Sequence, residues 1–348
     1  MPTNVRAWAA ASATSPLAPH EIVRRDVGDH DVAIEITHCG VCHSDIHQAR
    51  DEWGGALFPM VPGHEIVGRV TKVGRAVKGF APGDLAGVGC MVDSCRTCRS
   101  CARDLEQFCE KGAAFTYNGT EMDRRTPTYG GYSKAVVVDE RFTLRLGKGV
   151  DLAGTAPLLC AGITTWSPLR HWKAGKGTRL GVVGLGGLGH MAVKLGAALG
   201  CEVTMLSTSA SKEADARRLG AHGFALTKEP ATFQKLAGRF DLVIDTISAP
   251  HDYNAYLSLV AVDGAMVVVG VPPAPTPVHA FSLIGGRKTL AGSLIGGIKE
   301  TQEMLDFCAE RKIAADVEVI PIQKINEAYE RMVKNDVRYR FVVDLASL

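Results

Sequence analysis

The chain is poor in aromatic residues, 6% of its 348 positions, and has almost no net charge: 39 Lys and Arg against 37 Asp and Glu leave +2 with His neutral. So even a balance supplies no general field for nucleic acid or anionic lipid. The scarcity of rings also leaves no visible set of side chains to select an aromatic substrate. No segment approaches eighteen uncharged apolar residues, and the longest candidate, Leu257 to Val271, contains Asp263 and Gly264. The opening stretch "MPTNVRAWAAASATSP" lacks a charged start followed by a long apolar core. These absences point to a cytoplasmic protein, where thiols stay reduced. The ten cysteines then read as metal ligands more than as disulfides.

What is present fits a soluble enzyme of two domains: 46% apolar and 22% charged residues, in a chain too long for one ordinary core. From Val5 to about Val150, short β-rich runs such as "DVAIEITHCG", "EIVGRVTKVG" and "YSKAVVVDE" alternate with Gly, Pro and Asp turns, which suggests a partly open β-barrel. Beyond Lys173 the pattern changes to apolar strand, glycine turn and helix, repeated, which implies a parallel sheet covered on both faces. In the first of these units Leu188, Met191, Ala192, Leu195, Ala198 and Leu199 recur at helical spacing and form an apolar stripe. The tail from about Thr301 returns to helix and then to the strand "RYRFVVDL", and spacing alone does not assign it to either domain.

Two groups of candidate metal ligands stand out. Cys95, Cys98, Cys101 and Cys109 lie in "CRTCRSCARDLEQFC", a spacing that closes a tetrahedral thiolate site. A ferredoxin-type cluster needs three residues before its last cysteine and a proline after it; here seven intervene and Glu110 follows. Four protein ligands close the coordination sphere, so this loop reads as structural zinc and the chemistry belongs elsewhere. The second group is looser: Cys42, His43, His47 and the pair His64-Glu65 on tight turns, and Cys160 in "PLLCAGITTW". One His and two Cys from it would make a three-ligand zinc with an open fourth position. Cys39, Cys90, Cys201 and Cys308 read as small core hydrophobes.

The glycine-rich loop "GLGGLG", Gly184 to Gly189 with Gly186, Gly187 and Leu188 between, follows the strand "RLGVV" and opens a helix. That context marks a dinucleotide site: a tight turn, close backbone approach to pyrophosphate, and free N–H groups at the helix start. An NAD site would place Asp or Glu at the end of the second strand. Here that stretch reads "LSTSASK", so Ser207, Thr208, Ser209 and Lys212 favour the 2′-phosphate of NADP. The competing reading is that these residues merely cap the next helix.

Together "CGVCHSD", "FPMVPGHEIVG", the four-cysteine loop, "PLLCAGIT", "GLGGLGH", "STSASK" and "GSLIGG" make the whole chain resemble the zinc-dependent medium-chain alcohol dehydrogenases, in their cinnamyl alcohol dehydrogenase-like, NADP-dependent branch. The resemblance implies an α/β protein with a GroES-like β-rich catalytic domain (1–155 and 292–348) and a Rossmann doubly wound NADP-binding domain (156–291). It implies two zinc ions per subunit and a homodimer, with a tetramer as the alternative. By position, Cys42, His64 and Cys160 look like catalytic zinc ligands, with Glu65 close enough to enter the metal shell and Asp45 orienting the histidine. Ser44 and His47 resemble a proton relay, His43 a pyrophosphate contact, and Trp53 a substrate-pocket side chain. Thr164, Thr246, Val269 and Ser293 would line the cofactor path. The implied activity is reversible hydride transfer between NADP(H) and primary alcohols or aldehydes. A polyol dehydrogenase and a zinc-free quinone reductase are the alternatives within the superfamily; a nucleic-acid zinc ribbon and a cysteine redox sensor are those outside it.

Overall fold

The computed structural model describes residues 3–348. Its contacts divide the chain into two compact units, residues 1–160 with 296–348 and residues 161–295.

The first unit is built on a seven-stranded sheet. Its path runs Leu144–Arg145, Leu85–Val88, Ile66–Val73, Asp31–Gly40, Arg340–Asp344 and Val317–Pro321, with Ala135–Asp139 also paired to Asp31–Gly40. The strand Asp31–Gly40 organises it. Val32, Ile34 and Ile36 alternate inward along the pleat and are almost fully buried. Its partners approach closely enough to dictate composition: a Cβ on Gly68 would lie 2.1 Å from the Glu35 carbonyl oxygen. The C-terminal strand pairs with the far end of the same strand, Val342 opposite Gly40 and Val343 opposite Cys39. Phe341 and Val343 thereby join the core. Arg340 arrives directly beneath the turn that follows Gly40.

The second unit is a six-stranded parallel sheet in the order Gly223–Leu226, Glu202–Ser207, Arg179–Val183, Phe240–Asp245, Val260–Val268 and Thr289–Gly292. Strands buried on both faces account for the continuous apolar runs read from the sequence. This is the doubly wound order, and it reverses beside Arg179–Val183, where such sheets bind ligands at the carboxyl ends of their strands. The helix Gly189–Ala198 begins there. Met191, Ala192 and Leu195 are buried as the stripe predicts, while Leu188, Ala198 and Leu199 are only half-buried.

Candidate active site

Within the first unit, Cys42 ends the turn after the strand Asp31–Gly40 and caps the helix His43–Ala49. The Asp45 side chain reaches back to accept a hydrogen bond from the Cys42 N–H at 2.8 Å, which fixes where the thiol starts. Its other oxygen accepts from the Gly63 N–H and from His64 Nδ1, each at 3.1 Å. The Tyr132 hydroxyl completes the set at 3.4 Å. Asp45 is fully buried, so one carboxylate ties two candidate ligands to one point. With Nδ1 donating to Asp45, His64 presents Nε2 as its free lone pair.

Cys42, His64, Glu65 and Cys160 bring one ligand atom each to within 4.8 Å of one another. The Cys42 and Cys160 sulfurs are 3.9 Å apart. A tetrahedral zinc with bonds of about 2.3 Å to sulfur needs sulfurs about 3.8 Å apart, so this donor set fits the ion. One Glu65 oxygen accepts from Arg340, whose guanidinium also donates to the Val41 carbonyl at 2.8 Å. The other, Oε2, is buried with no hydrogen-bond partner, an unmet acceptor that a cation would satisfy. Burial raises the Glu65 carboxyl to about 7 against the pull of Arg340. The hydrogen bond from Cys160 holds the Cys42 thiol well below its usual range and pushes Cys160 well above it. Burial works to lower His64, but the charge and hydrogen bond of Asp45 together with Cys90 and Cys42 lift the imidazole well above its ordinary value.

The second cysteine set fits a closed ion. Its four sulfurs also lie within 4.8 Å of one another, with Cys95 to Cys101 at 3.9 Å and Cys98 to Cys101 at 3.4 Å. The Cys95 N–H points at the Cys109 sulfur and the Glu110 N–H at that of Cys98, each at 3.4 Å, which favours thiolates. All ten cysteines are free thiols, which excludes the disulfide reading in this structure.

Ser44 and His47 share the helix His43–Ala49, with the exposed His43 at its start. His47 Nδ1 meets the carboxylate of Glu52 at 2.5 Å, and its ring stacks on Trp53 with centroids 5.0 Å apart. Sequence reasoning missed Glu52, although "HQARDEW" places an acid five residues past a candidate relay histidine. It also missed Arg340, and Tyr117, whose ring stacks on His64 at 5.7 Å. One reading needs correction. Cys90 is not a core hydrophobe like Cys39, Cys201 and Cys308; it is half-buried, and its thiol donates to the Leu159 carbonyl at 3.7 Å, next in the chain to Cys160.

In the second unit, Gly184 has φ +88°, and a Cβ on Gly189 would sit 1.9 Å from the Gly184 carbonyl oxygen, so both positions require glycine. A Cβ on Gly186 would meet nothing within 4 Å, so the chain itself makes no demand there, as suits backbone left open to a phosphate. Gly187 and Leu188 complete the turn into the helix. The Thr246 hydroxyl donates to the carbonyls of Val183 at 2.7 Å and Gly184 at 3.1 Å, locking the loop to the sheet. The Val269 N–H donates to the Asp245 carbonyl, the Ser293 N–H to that of Val268, and Thr164 is buried in the helix Ala161–His171. At the end of the strand Glu202–Ser207, the Ser209 N–H donates to the Ser207 hydroxyl at 3.2 Å, and Lys212 reaches the Leu185 carbonyl at 2.8 Å. Thr208 is exposed. The Ser209 side chain caps nothing in the turn Ala210–Lys212, which weakens the helix-cap reading of this stretch. No carboxylate interrupts it before Glu213, which pairs with Arg217.

Comparison with known proteins agrees with both units. The model of the alcohol dehydrogenase GroES-like domain matches residues 28–148, and that of zinc-binding dehydrogenases matches residues 187–310. The NADP-dependent alcohol dehydrogenase C of Mycobacterium bovis is 55% identical over 346 residues, 99% of this chain and 100% of that one. The aldehyde reductase YahK of Escherichia coli is 51% identical, with 99% of each chain covered. Among solved structures, a cinnamyl alcohol dehydrogenase from Sorghum bicolor superposes with a TM-score of 0.96 at 45% identity, covering 99% of this chain and 98% of that one. A doubly wound nucleotide unit and, in the other unit, a buried Cys42, His64 and Cys160 donor set that fits zinc are the features of a zinc-dependent medium-chain dehydrogenase, and the chain belongs to that family. Within it, the chain falls in the cinnamyl alcohol dehydrogenase-like branch and is an NADP-dependent zinc alcohol dehydrogenase and aldehyde reductase.

Because Asp45 holds both the Cys42 turn and the His64 ring, Asp45→Asn is expected to weaken metal binding at this centre about 10- to 100-fold. The four-cysteine ion should stay. Zinc competition with a chromogenic chelator, read as ions released per chain, checks this; unchanged affinity would remove Asp45 from the site.

Proposed function

We propose that Cys42, His64 and Cys160 hold the catalytic zinc with Glu65 in reserve, and that Cys95, Cys98, Cys101 and Cys109 hold the structural one. The observation that carries the reading is the convergence of two thiols, an imidazole Nε2 and an unpartnered carboxylate oxygen in one buried pocket. Bound there, zinc supplies Lewis acidity toward an alcohol or aldehyde oxygen, and NADP(H) supplies the hydride.

The chain's own residues do the rest. Ser44 exchanges a proton with the substrate oxygen, and His47 passes it on. Glu52 faces His47 Nδ1, which leaves Nε2 as the nitrogen open to the relay. Trp53, 49% exposed and stacked on His47, supplies an apolar wall for the substrate. In the nucleotide unit the loop Gly184–Gly189 takes the pyrophosphate with His43. Thr164, Thr246, Val269 and Ser293 line the cofactor, and Ser207, Thr208, Ser209 and Lys212 select the 2′-phosphate. The substrates of this reading are primary aromatic or aliphatic alcohols and aldehydes, and the domains are 1–155 with 292–348 and 156–291.

We also propose a cytoplasmic homodimer. Ten free thiols support the compartment, and no helix among the described residues is long and apolar enough to cross a membrane. For the dimer, Thr289–Gly292 is an open edge of its sheet, and Phe281 and Ile284 nearby are 72% and 67% exposed. A two-fold pairing of such edges would cover both features. Light scattering after gel filtration is expected to give twice the chain mass, falling to one in Ile284→Glu; a monomeric unmodified protein would refute the dimer.

The assignment of the phosphate site is tested by initial rates of NADPH oxidation with cinnamaldehyde or benzaldehyde, with NADH in parallel. Loss of one charge-assisted contact at the phosphate is worth about 1.5–3 kcal/mol. Lys212→Ala should therefore raise KM for NADPH about 10- to 100-fold while leaving KM for NADH nearly unchanged. An equal effect on both cofactors would contradict the phosphate role.

A further inference from the structure

His251 in the nucleotide unit has a charge that its hydrogen bonds dictate. Its Nδ1 faces the Ala249 carbonyl oxygen at 2.8 Å, and its Nε2 faces the carboxylate of Asp245 at 2.9 Å. A neutral imidazole carries one N–H, whereas a carbonyl oxygen only accepts. Both contacts are satisfied only if the His251–Asp245 pair holds one proton more than a neutral ring beside a carboxylate. The ring is nearly enclosed, with its side chain 11% exposed, and Asp245 is fully buried. An unmatched pair of acceptors there would carry a full desolvation cost.

Asp245 also stands where the expected cofactor contacts meet. It ends the strand Phe240–Asp245, and its other carboxylate oxygen accepts from the Ile247 N–H at 3.1 Å. Its backbone carbonyl accepts from the Val269 N–H at 2.9 Å and the Gly270 N–H at 3.1 Å. Thr246 and Val269 therefore flank one anchored residue. The segment Thr246–His251 is closed at its far end by the imidazole, through Asp245 and Ala249.

We propose that His251, as the cation of a buried pair with Asp245, is a positioning residue for the nicotinamide cofactor, holding the segment Thr246–Ala249 in its binding conformation. This rests on reading Thr246 and Val269 as cofactor contacts.

The surroundings favour the cation. Asp245 faces the ring from the strand end, and Asp252 adds negative charge from the following turn. Tyr253 and Tyr256, on the helix Tyr253–Ser258, lie against the ring with centroids at 5.0 and 5.5 Å. Burial raises both phenols, so they stay neutral through the physiological range. Burial works to lower His251 itself, but the hydrogen bonds to Asp245 and the Ala249 carbonyl, with the charges of Asp245 and Asp252, together lift the group above its ordinary value. A raised folded-state value means the contribution is fully present below about pH 6.5 and is lost as pH rises through the folded-state value. Cofactor affinity should therefore weaken on the alkaline side.

The test uses zinc-loaded enzyme and cofactor fluorescence titrations between pH 6 and 9. NADH and NADPH are run in parallel, because the 2′-phosphate of NADPH also titrates and NADH lacks it. For the unmodified enzyme, Kd for both cofactors is expected to rise about tenfold across the range as the ring loses its proton. His251→Gln keeps a donor but no charge, and it should show the weak Kd at every pH, with the loss falling mainly on cofactor KM. The 15N shifts of the His251 ring in the unmodified enzyme give an independent reading that no variant can confound, and they should show two protonated nitrogens at pH 6.5. A parallel pH dependence in enzyme and variant, or a neutral His251 ring at pH 6.5, would overturn the proposal. Failure of the unmodified enzyme to bind either cofactor at any pH would overturn the cofactor-site reading, and this inference with it.

Discussion

The carboxylate of Asp45 is the point on which the metal centre turns. A buried anion is tolerated only when donors surround it, and this one has four, drawn from separate segments: the Cys42 and Gly63 N–H groups, the His64 ring and the Tyr132 hydroxyl. Satisfying Asp45 is therefore the same event as bringing the Cys42 turn and the His64 turn together. A second buried anion, Glu65, is met on one side by Arg340 and left open on the other. Two thiols, the His64 imidazole and the open Glu65 oxygen converge there, a donor set that a divalent cation fits.

The nucleotide unit solves a different problem, the approach of a highly charged ligand to backbone. Glycine at Gly184 and Gly189 allows the chain to fold back within van der Waals reach of itself, and Thr246 fastens that turn to the sheet. In the proposed reading, selection of the phosphorylated cofactor would depend on what is missing, a carboxylate after the strand Glu202–Ser207, as much as on Lys212 and the hydroxyls. The one buried carboxylate at the strand ends, Asp245, has its charge matched by His251 and its lone pairs by backbone donors.

Local chemistry was legible in the sequence wherever spacing carries it. Four cysteines within fifteen residues, or glycines between a strand and a helix, constrain geometry before any fold is known. Partners that depend on sheet pairing were not legible. Arg340 donates to Val41 across a sequence separation of 299 only because Val342 lies opposite Gly40. Tyr117 on His64 and Cys90 on the Leu159 carbonyl depend likewise on long-range packing. Glu52 differs, since it lies near His47 in the chain, but a loop acid has no periodicity to mark which way it points. The tail was ambiguous for the same reason as Arg340: a short apolar strand fits many edges, and its register against Asp31–Gly40 decides the matter.

The central claim is that one of two metal sites carries the chemistry and the other the scaffold, and stepwise metal removal tests it most directly. Zinc content and NADPH-linked aldehyde reduction would be followed together during mild chelation, with unfolding monitored by circular dichroism. The account predicts that turnover vanishes with loss of the first ion per chain while the fold persists, that zinc restores it, and that the second ion leaves only with unfolding of its loop. Full turnover by a chain holding one ion, with that ion bound by the four cysteines, would contradict it.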